Sequence, residues 1–196
     1  FAFDTQYAYL FTGSFWTRSG TGVTPIWHGD DTNFFWATTW EVLDVTLAVY
    51  QYALFVSNFH VVNPNGALDV NDDPLWSFDG TSWAIFTPQF LTDGSAVLSA
   101  RIILPFHDRL VLLNTIETDA ALNNHNFINR CRFSWNGSPF STRAWLEPNQ
   151  SGYGGAGYID AATTEEIIGA EFIKDRLIVF FERSTWELVY TGNEVQ

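Results

Sequence analysis

The fold of this chain is decided by Leu104-Pro-Phe-His-Asp-Arg-Leu-Val-Leu-Leu-Asn114, because the pattern of this segment occurs three times. The other copies are Ala48-Val-Tyr-Gln-Tyr-Ala-Leu-Phe-Val-Ser-Asn58 and Glu171-Phe-Ile-Lys-Asp-Arg-Leu-Ile-Val-Phe-Phe181. Each copy has an apolar entry, a short polar step and then an apolar strand. The spacings of about 56 and 67 residues lie near the upper end of propeller-blade periods, and such repeats are typical of solenoids, propellers and arrays. The repeat therefore predicts a scaffold rather than a protein organised around one catalytic pocket.

Some positions of the repeat carry the same residue in two copies. The second and third copies share the tripeptide Asp-Arg-Leu, and the first and second both place an asparagine where the strand ends, a place that Phe181 takes in the third. The structural repeat positions are Asp108, Arg109, Leu110, Asp175, Arg176, Leu177, Asn58 and Asn114. We interpret each copy as the leading strand of a blade, and we expect the Asp-Arg pairs to link adjacent blades.

Many short strands separated by turn signals predict an all-β protein with β-propeller-like blades. The clearest hairpin spans Trp76–Phe86, where Asp79-Gly80 supplies a two-residue turn. A second Trp-bearing hairpin is predicted over Phe133–Trp145, around the turn dipeptide Asn136-Gly137. Further strands are predicted in Phe1–Leu10, Phe11–Trp16, Phe34–Trp40 and Glu41–Val49.

Three segments between the strands predict loops. Asn114–Asn129 is polar and rich in asparagine, and Gln150–Gly157 is rich in glycine, so both are expected to be exposed loops. Ala161–Lys174 has Thr163 and Glu166 at the spacing of a helix-capping box. The glycine in its middle, Gly169, favours a loop followed by a strand.

The chain is predicted to be one propeller-like domain over 1–196, with lead-in strands in 1–44. The blade cores are expected near 45–86, 101–145 and 168–192. Three copies do not close a ring that typically has four to eight blades, so we expect a partial or incomplete ring. The absence of methionine and the opening residue Phe1 lead us to expect that the true start is missing.

The charge balance limits the partners. The formal net charge is −13, and Lys174 is the one lysine, so the basic stripe that tight nucleic-acid binding requires is not expected. The negative charge does not exclude a surface along which DNA passes without binding. Simple solubility of an acidic protein is the plainer explanation.

The single cysteine, Cys131, permits no internal disulfide and gives no indication of an oxidising compartment. Arg130 and Arg132 flank it, but the alternation around it predicts a cysteine packed in a strand. No signal peptide is visible, and no apolar run approaches the length of a membrane helix, so no membrane segment is predicted.

Motifs that resemble chemical sites have simpler explanations. Gly152–Gly157 has the spacing of a dinucleotide-binding loop but lacks the flanking strand and helix. Asp69–Asp73 alternates oxygen ligands as calcium loops do, but Pro74 stands where those loops carry glycine, so a solvated turn is predicted. His28–Asp31 has the residue types for acid–base chemistry but no recognisable nucleophile partner, so a turn is favoured. No catalytic, cofactor-binding or metal-binding residue is therefore predicted.

Tryptophans are numerous enough to stack against sugars, and propellers also host glycosidases. The candidates are Trp27, Trp36, Trp40, Trp83 and Trp145. Packing as the aromatic cores of blades is the favoured explanation, because large aromatic side chains contribute most of a core's buried area.

The order of several motifs resembles a family of structural proteins in the virions of tailed bacteriophages. These motifs are Asn63–Gly66, Phe78–Trp83, Phe106–Thr115, Asn129–Trp135 with Pro139, Trp145, Gly155–Gly157, Ile159-Asp160, Phe172–Ser184 and Tyr190–Gly192. The resemblance covers roughly residues 45–192. Members are commonly described only as structural or tail proteins, and they are similar in kind to the propeller-bearing nozzle proteins of short-tailed phages. Family members of this type normally continue with more blades.

The resemblance implies a structural virion component in the tail or neck, within the assembly that conducts the genome. It implies other virion proteins and further copies of the chain around the tail axis as partners, DNA only in passing, a virion location, no cofactor and no enzymatic activity. The alternative is a propeller that binds or cleaves carbohydrate during recognition of a host receptor. A third possibility is a host-encoded interaction module, because fold alone does not define function.

Overall fold

The computed structural model describes residues 1–19, 27–44 and 49–192, and these residues contain strands and no helix. The strands are β1 (Ala2–Phe3), β2 (Ala8–Phe11), β3 (Trp16–Arg18), β4 (Trp36–Asp44), β5 (Val49–Ser57), β6 (Trp76–Phe78), β7 (Trp83–Ile85), β8 (Ala96–Phe106), β9 (Arg109–Thr118), β10 (Asn124–Phe133), β11 (Gly157–Asp160), β12 (Ile167–Ile173), β13 (Arg176–Phe181) and β14 (Thr185–Leu188). The all-β prediction is confirmed.

Every sheet is an antiparallel meander in which strands that follow one another in the chain are neighbours. Sheet I contains β1–β3, sheet II β4–β7, sheet III β8–β11 and sheet IV β12–β14. The described strands form these four separate sheets, with no closed barrel or ring among them. No described helix is long and apolar enough to cross a membrane.

The sheets pack in chain order, with one apolar cluster between each pair of neighbours. Val56 and Trp76 of sheet II pack in a cluster with Ala8 of sheet I. A larger cluster joins sheets II and III, and a third joins sheets III and IV. Sheet III is therefore covered on both faces. Because both faces of β9 are buried, its sequence is a continuous apolar run. Leu110 and Leu112 pack towards sheet II, and the alternate residue Val111 packs towards sheet IV.

The repeat occupies equivalent places in three sheets, but it is not the leading strand. Its apolar run forms the second strand of each sheet, namely β5, β9 and β13. In the second and third copies the polar step is the hairpin turn between the first and second strands. The entry of the first copy at Ala48 lies outside the described residues. The first strands of these sheets are β4, β8 and β12. Each is joined by a connection to the apolar run that follows it in the chain.

Sheet boundaries differ in part from the predicted blade cores. Strand β4 lies in the segment predicted as lead-in but is the first strand of sheet II, and sheet III extends to Asp160. The segments predicted as Phe34–Trp40 and Glu41–Val49 contain one strand as far as Asp44, and residues 45–48 lie outside the described part. The start of the chain forms three short strands instead of two.

The predicted loop Asn114–Asn129 is wrong, because most of it belongs to β9 and β10. The turn is confined to the residues between Thr118 and Asn124, where the amide of Asp119 donates to the carbonyl of Asn123. The polar composition misled the prediction because several of these polar side chains bond to each other inside the protein. The loop over Gln150–Gly157 is confirmed as far as Ala156, and so is the strand that follows a loop in Ala161–Lys174.

The two predicted tryptophan hairpins have different outcomes. Trp76–Phe86 forms β6 and β7, with a four-residue turn instead of two because Phe78 pairs with Trp83. No strand follows β10 over 134–156, so the hairpin predicted over Phe133–Trp145 is wrong. The indole N–H groups of Trp135 and Trp145 instead donate to the carbonyls of Ser138 and Pro139, which fix this connection as a folded loop.

We predict that Asp108→Gly raises the free energy of unfolding by about 0.5–1 kcal/mol, because Asp108 has a φ of 57°, which glycine adopts with less strain. The exposed Asp108 side chain makes no hydrogen bond or ion pair to any described residue. Urea unfolding measures the change. Asp108→Ala is the control, since alanine keeps the unfavourable φ, and an equal gain in both variants would contradict the explanation.

Candidate functional site

The two Asp-Arg-Leu tripeptides lie at hairpins at the same end of neighbouring sheets. His107-Asp108 forms the two-residue turn between β8 and β9, and Lys174-Asp175 forms the turn between β12 and β13. The strand ends beside them meet, since the rings of Phe106 and Phe172 are 6.0 Å apart. His107, Asp108 and Lys174 all have positive φ, as tight hairpin turns require. The structure thus brings the two Asp-Arg-Leu tripeptides into one region.

The leucines of the repeat have equivalent packing. Leu110 is fully buried between sheets III and II, and Leu177 is fully buried between sheets IV and III. Each leucine therefore packs its own sheet against the preceding one. This shared role explains why the repeat keeps an apolar residue directly after the arginine.

The asparagines of the repeat are buried and bridge different parts of the fold. The Asn114 side-chain amide donates to the carbonyl of Ile167 and to Oε1 of Glu166, both at 3.0 Å, and thereby links sheets III and IV. Asn58 follows β5 and donates to Oδ2 of Asp73 at 2.6 Å. Both asparagines therefore bond to residues that are distant in the chain.

We expected the Asp-Arg pairs to link adjacent blades. The arginines instead bond to residues of their own sheet and its connection. Nη1 of Arg109 donates to the carbonyls of Ser134 and Gly155, which belong to the connection between β10 and β11. Arg176 bonds Glu187 on the adjacent strand β14. Arg109 and Arg176 are the first residues of β9 and β13, the second strands of their sheets. Each side chain extends across its own sheet, so its contacts stay within that sheet and its connection.

A cleft opens between sheets III and IV beside Arg109, with a volume of about 140 Å³. Its apolar lining includes Phe106, Phe133, Leu188 and Tyr190. The guanidinium carbon of Arg109 lies 5.6 Å from the ring centre of Phe133 and 5.7 Å from that of Tyr190. The cleft therefore combines aromatic surface with one buried cation.

A buried ionic network in sheet III was not predicted. Arg132 is 1% exposed and donates to both carboxylate oxygens of Glu117 at 2.8 Å and to Glu147 at 2.9 Å. Arg130 donates to Glu117 at 3.0 Å and to both oxygens of Asp160, at 2.7 and 2.8 Å. The sequence carried one signal of this network. The alternation of residue types around Cys131 placed Arg130 and Arg132 on the same face of a strand.

Aromatic rings cover these arginines. The Arg132 guanidinium lies 3.9 Å from the ring centre of Phe90, and the Arg130 guanidinium lies 3.6 Å from Phe127 and 3.9 Å from Tyr158. Such stacking suits guanidinium, which is planar and weakly hydrated. The network is thus satisfied by hydrogen bonds, opposite charges and ring faces together.

Asp72 and Asp73 form a second buried polar centre, so the predicted solvated turn is wrong for these two residues. Asp73 is 1% exposed and accepts from the amide of His28 and from the side chain of Asn58, and its Oδ1 lies 2.9 Å from Nδ1 of His28. Asp72 accepts from the amide of Val62 and from the side chain of Asn124. These carboxylates tie three parts of the fold together, which sequence spacing alone did not indicate.

Other candidate residues are structural where they are described. Four of the five tryptophans proposed for sugar stacking are buried, namely Trp27, Trp40, Trp83 and Trp145, so their predicted core role is confirmed. Gly152–Ala156 is a loop without an adjoining helix. Within the described ranges no cluster of histidine, cysteine and carboxylate side chains has the geometry of a metal site.

No protein-family model matches this chain, and no curated protein or solved structure matches it either. The resemblance to phage structural proteins therefore stays a prediction. The stacked sheets, the buried polar centres and the cleft are the features of the molecule that bear on its function.

We predict that Glu117→Gln lowers the free energy of unfolding by about 3–5 kcal/mol, because it leaves two buried guanidinium groups short of negative charge. Denaturant unfolding measures this loss. Glu187→Gln is the matched control, because Glu187 pairs with the exposed Arg176, and exposed pairs contribute little. Equal effects of the two substitutions would contradict the structural role of the network.

We also predict that the Cys131 thiol is unreactive in the folded protein, because burial raises its pKa to about 12. The folded pKa lies above the unfolded value, so this group's contribution to stability is complete below about pH 8.5 and is lost as the pH rises towards 12. A thiol-reactive dye at pH 8 should label the protein only after denaturant is added. Rapid labelling of the folded protein would contradict the burial.

Proposed function

We propose that this protein is a structural component of a tailed-phage virion, placed in the tail or neck within the assembly that conducts the genome. The observation that carries the proposal is the serial packing of antiparallel meanders, each joined to the next by an apolar cluster. This arrangement suits a protein that supplies rigid surface. It agrees with the family resemblance in the sequence over residues 45–192.

A propeller-like arrangement is part of this proposal. In propellers, four-stranded sheets surround an axis, and their inner strands lie near one another. The first strand of sheet III contacts the first strands of both sheet II and sheet IV, through β4 and β12. This adjacency supports sheets II to IV as consecutive blades of one ring.

The outer face of sheet IV supports assembly with another copy of the chain. Leu177, Val179 and Phe181 point towards sheet III, so the alternate residues Ile178 and Phe180 point away from it. Both are half-buried, and neither belongs to the apolar clusters that join the described sheets. The corresponding face of sheet III is covered by sheet IV. We therefore propose that a sheet of a second copy continues the same packing.

The acidic balance fits a wall along which DNA passes. The net charge of −13 repels phosphate groups at short range, so a channel lined by this protein would not retain the genome. The proposed partners are other virion proteins and further copies, with DNA only in passing. The proposed mechanism is mechanical and involves no cofactor or catalysis.

We predict that the purified protein self-associates and that Phe180→Arg shifts it to the monomer, because a charge on the outer face of sheet IV is costly to bury. Sedimentation velocity measures the distribution. Val70→Arg is the control, because Val70 is 91% exposed and lies in a loop. Image averaging of the assemblies should show copies arranged around an axis.

A monomer at every concentration, or association that Phe180→Arg leaves unchanged, would contradict the proposed packing. Strong selective binding on a glycan array would instead favour the carbohydrate-binding alternative.

A further inference from the structure

Arg109 is the repeat residue with the most unusual environment. Its structural role does not explain why its charge is buried without a carboxylate partner. Its side chain is buried, with 6% of its surface exposed, although it carries a full positive charge. No described carboxylate lies within ion-pair distance of it, whereas the equally buried Arg130 and Arg132 each pair with two carboxylates. Burying a charge without a counter-ion is costly, so an anion beside Arg109 would stabilise this site.

One part of the guanidinium is occupied and the rest is available. Nη1 donates to the carbonyls of Ser134 and Gly155, at 2.7 and 2.8 Å, and these bonds fix the plane of the group. Nε and Nη2 make no hydrogen bond to any described residue. Guanidinium donors in this fork arrangement match the two oxygens of a carboxylate.

The walls of the cleft around these free donors indicate which kind of ligand would fit beside the anionic group. Arg109 lines the cleft of about 140 Å³ between sheets III and IV, whose walls are mainly apolar. Phe106, Phe133 and Tyr190 offer ring faces and edges there, and Leu188 contributes an aliphatic wall. The volume suits one compact ring rather than an extended chain. An apolar cleft with one oriented polar group is the usual design of a small-molecule site.

We propose that this cleft binds a small aryl carboxylate, with the ring against Phe133 and Tyr190 and the carboxylate on Nε and Nη2 of Arg109. The ligand supplies the negative charge that the buried arginine lacks, and its ring fills the apolar part of the cleft. Such a site is independent of the proposed role in a virion, because it needs neither the outer face of sheet IV nor a second copy.

The first test compares phenylacetate with phenylacetamide on the wild-type protein by isothermal titration calorimetry. The two molecules differ at the group that meets Arg109, so the acid should bind at least about tenfold more tightly, with a millimolar or lower dissociation constant. Chemical-shift changes should be confined to the residues of the cleft. Equal binding of acid and amide, or no binding of the acid at millimolar concentrations, would overturn the proposal.

The second test uses substitutions. Arg109→Met should abolish the preference for the acid, but it also leaves two carbonyls without a donor and can unfold the chain. Tyr190→Ala is the safer variant, because Tyr190 is partly exposed and its loss should weaken phenylacetate binding several-fold without changing the melting temperature. Phe34→Ala is the aromatic control away from the cleft and should leave binding unchanged. A folded Tyr190→Ala protein with unchanged affinity would contradict the site.

Discussion

The structure depends on one constraint, which is that the second strand of sheet III is buried on both faces. Leu110 and Leu112 on β9 pack towards sheet II, and Val111 and Leu113 pack towards sheet IV. A strand with two apolar faces is stable only between two layers, so neither neighbouring sheet can be removed without exposing a full cluster. The order of the sheets in space then follows their order in the chain.

The same constraint explains the buried polar centres. The polar side chains of β9 have almost no access to solvent, so each must find a partner inside the protein. Glu117, Arg130 and Arg132 satisfy one another, and Asn114 and Asn124 bond neighbouring sheets and loops. These contacts fix the relative positions of layers that apolar packing alone would leave free to slide. Arg109 stands apart because its charge has no carboxylate partner among the described residues.

The sequence predicted the features that depend on local pattern. All-β class, the repeat, the Trp76–Phe86 hairpin and the packed Cys131 follow from alternation and turn residues, which act over a few positions. It failed where distant partners decide, as in Asn114–Asn129, where the buried side chains of Asn114 and Asn124 bond to residues far along the chain. The cleft beside Arg109 was equally hidden, because its walls come from two sheets and a connection loop.

Hydrogen exchange of individual backbone amides measures whether sheet III is held between two layers. If sheet III is held between two layers, the amides of β9 between Val111 and Leu113 exchange only when the whole protein unfolds, while those of β2 in sheet I exchange through local opening. Protection of β9 should then change one-for-one with global stability as denaturant is added. Exchange of the β9 amides that is as fast as that of β2, and insensitive to denaturant, would contradict the stacked arrangement.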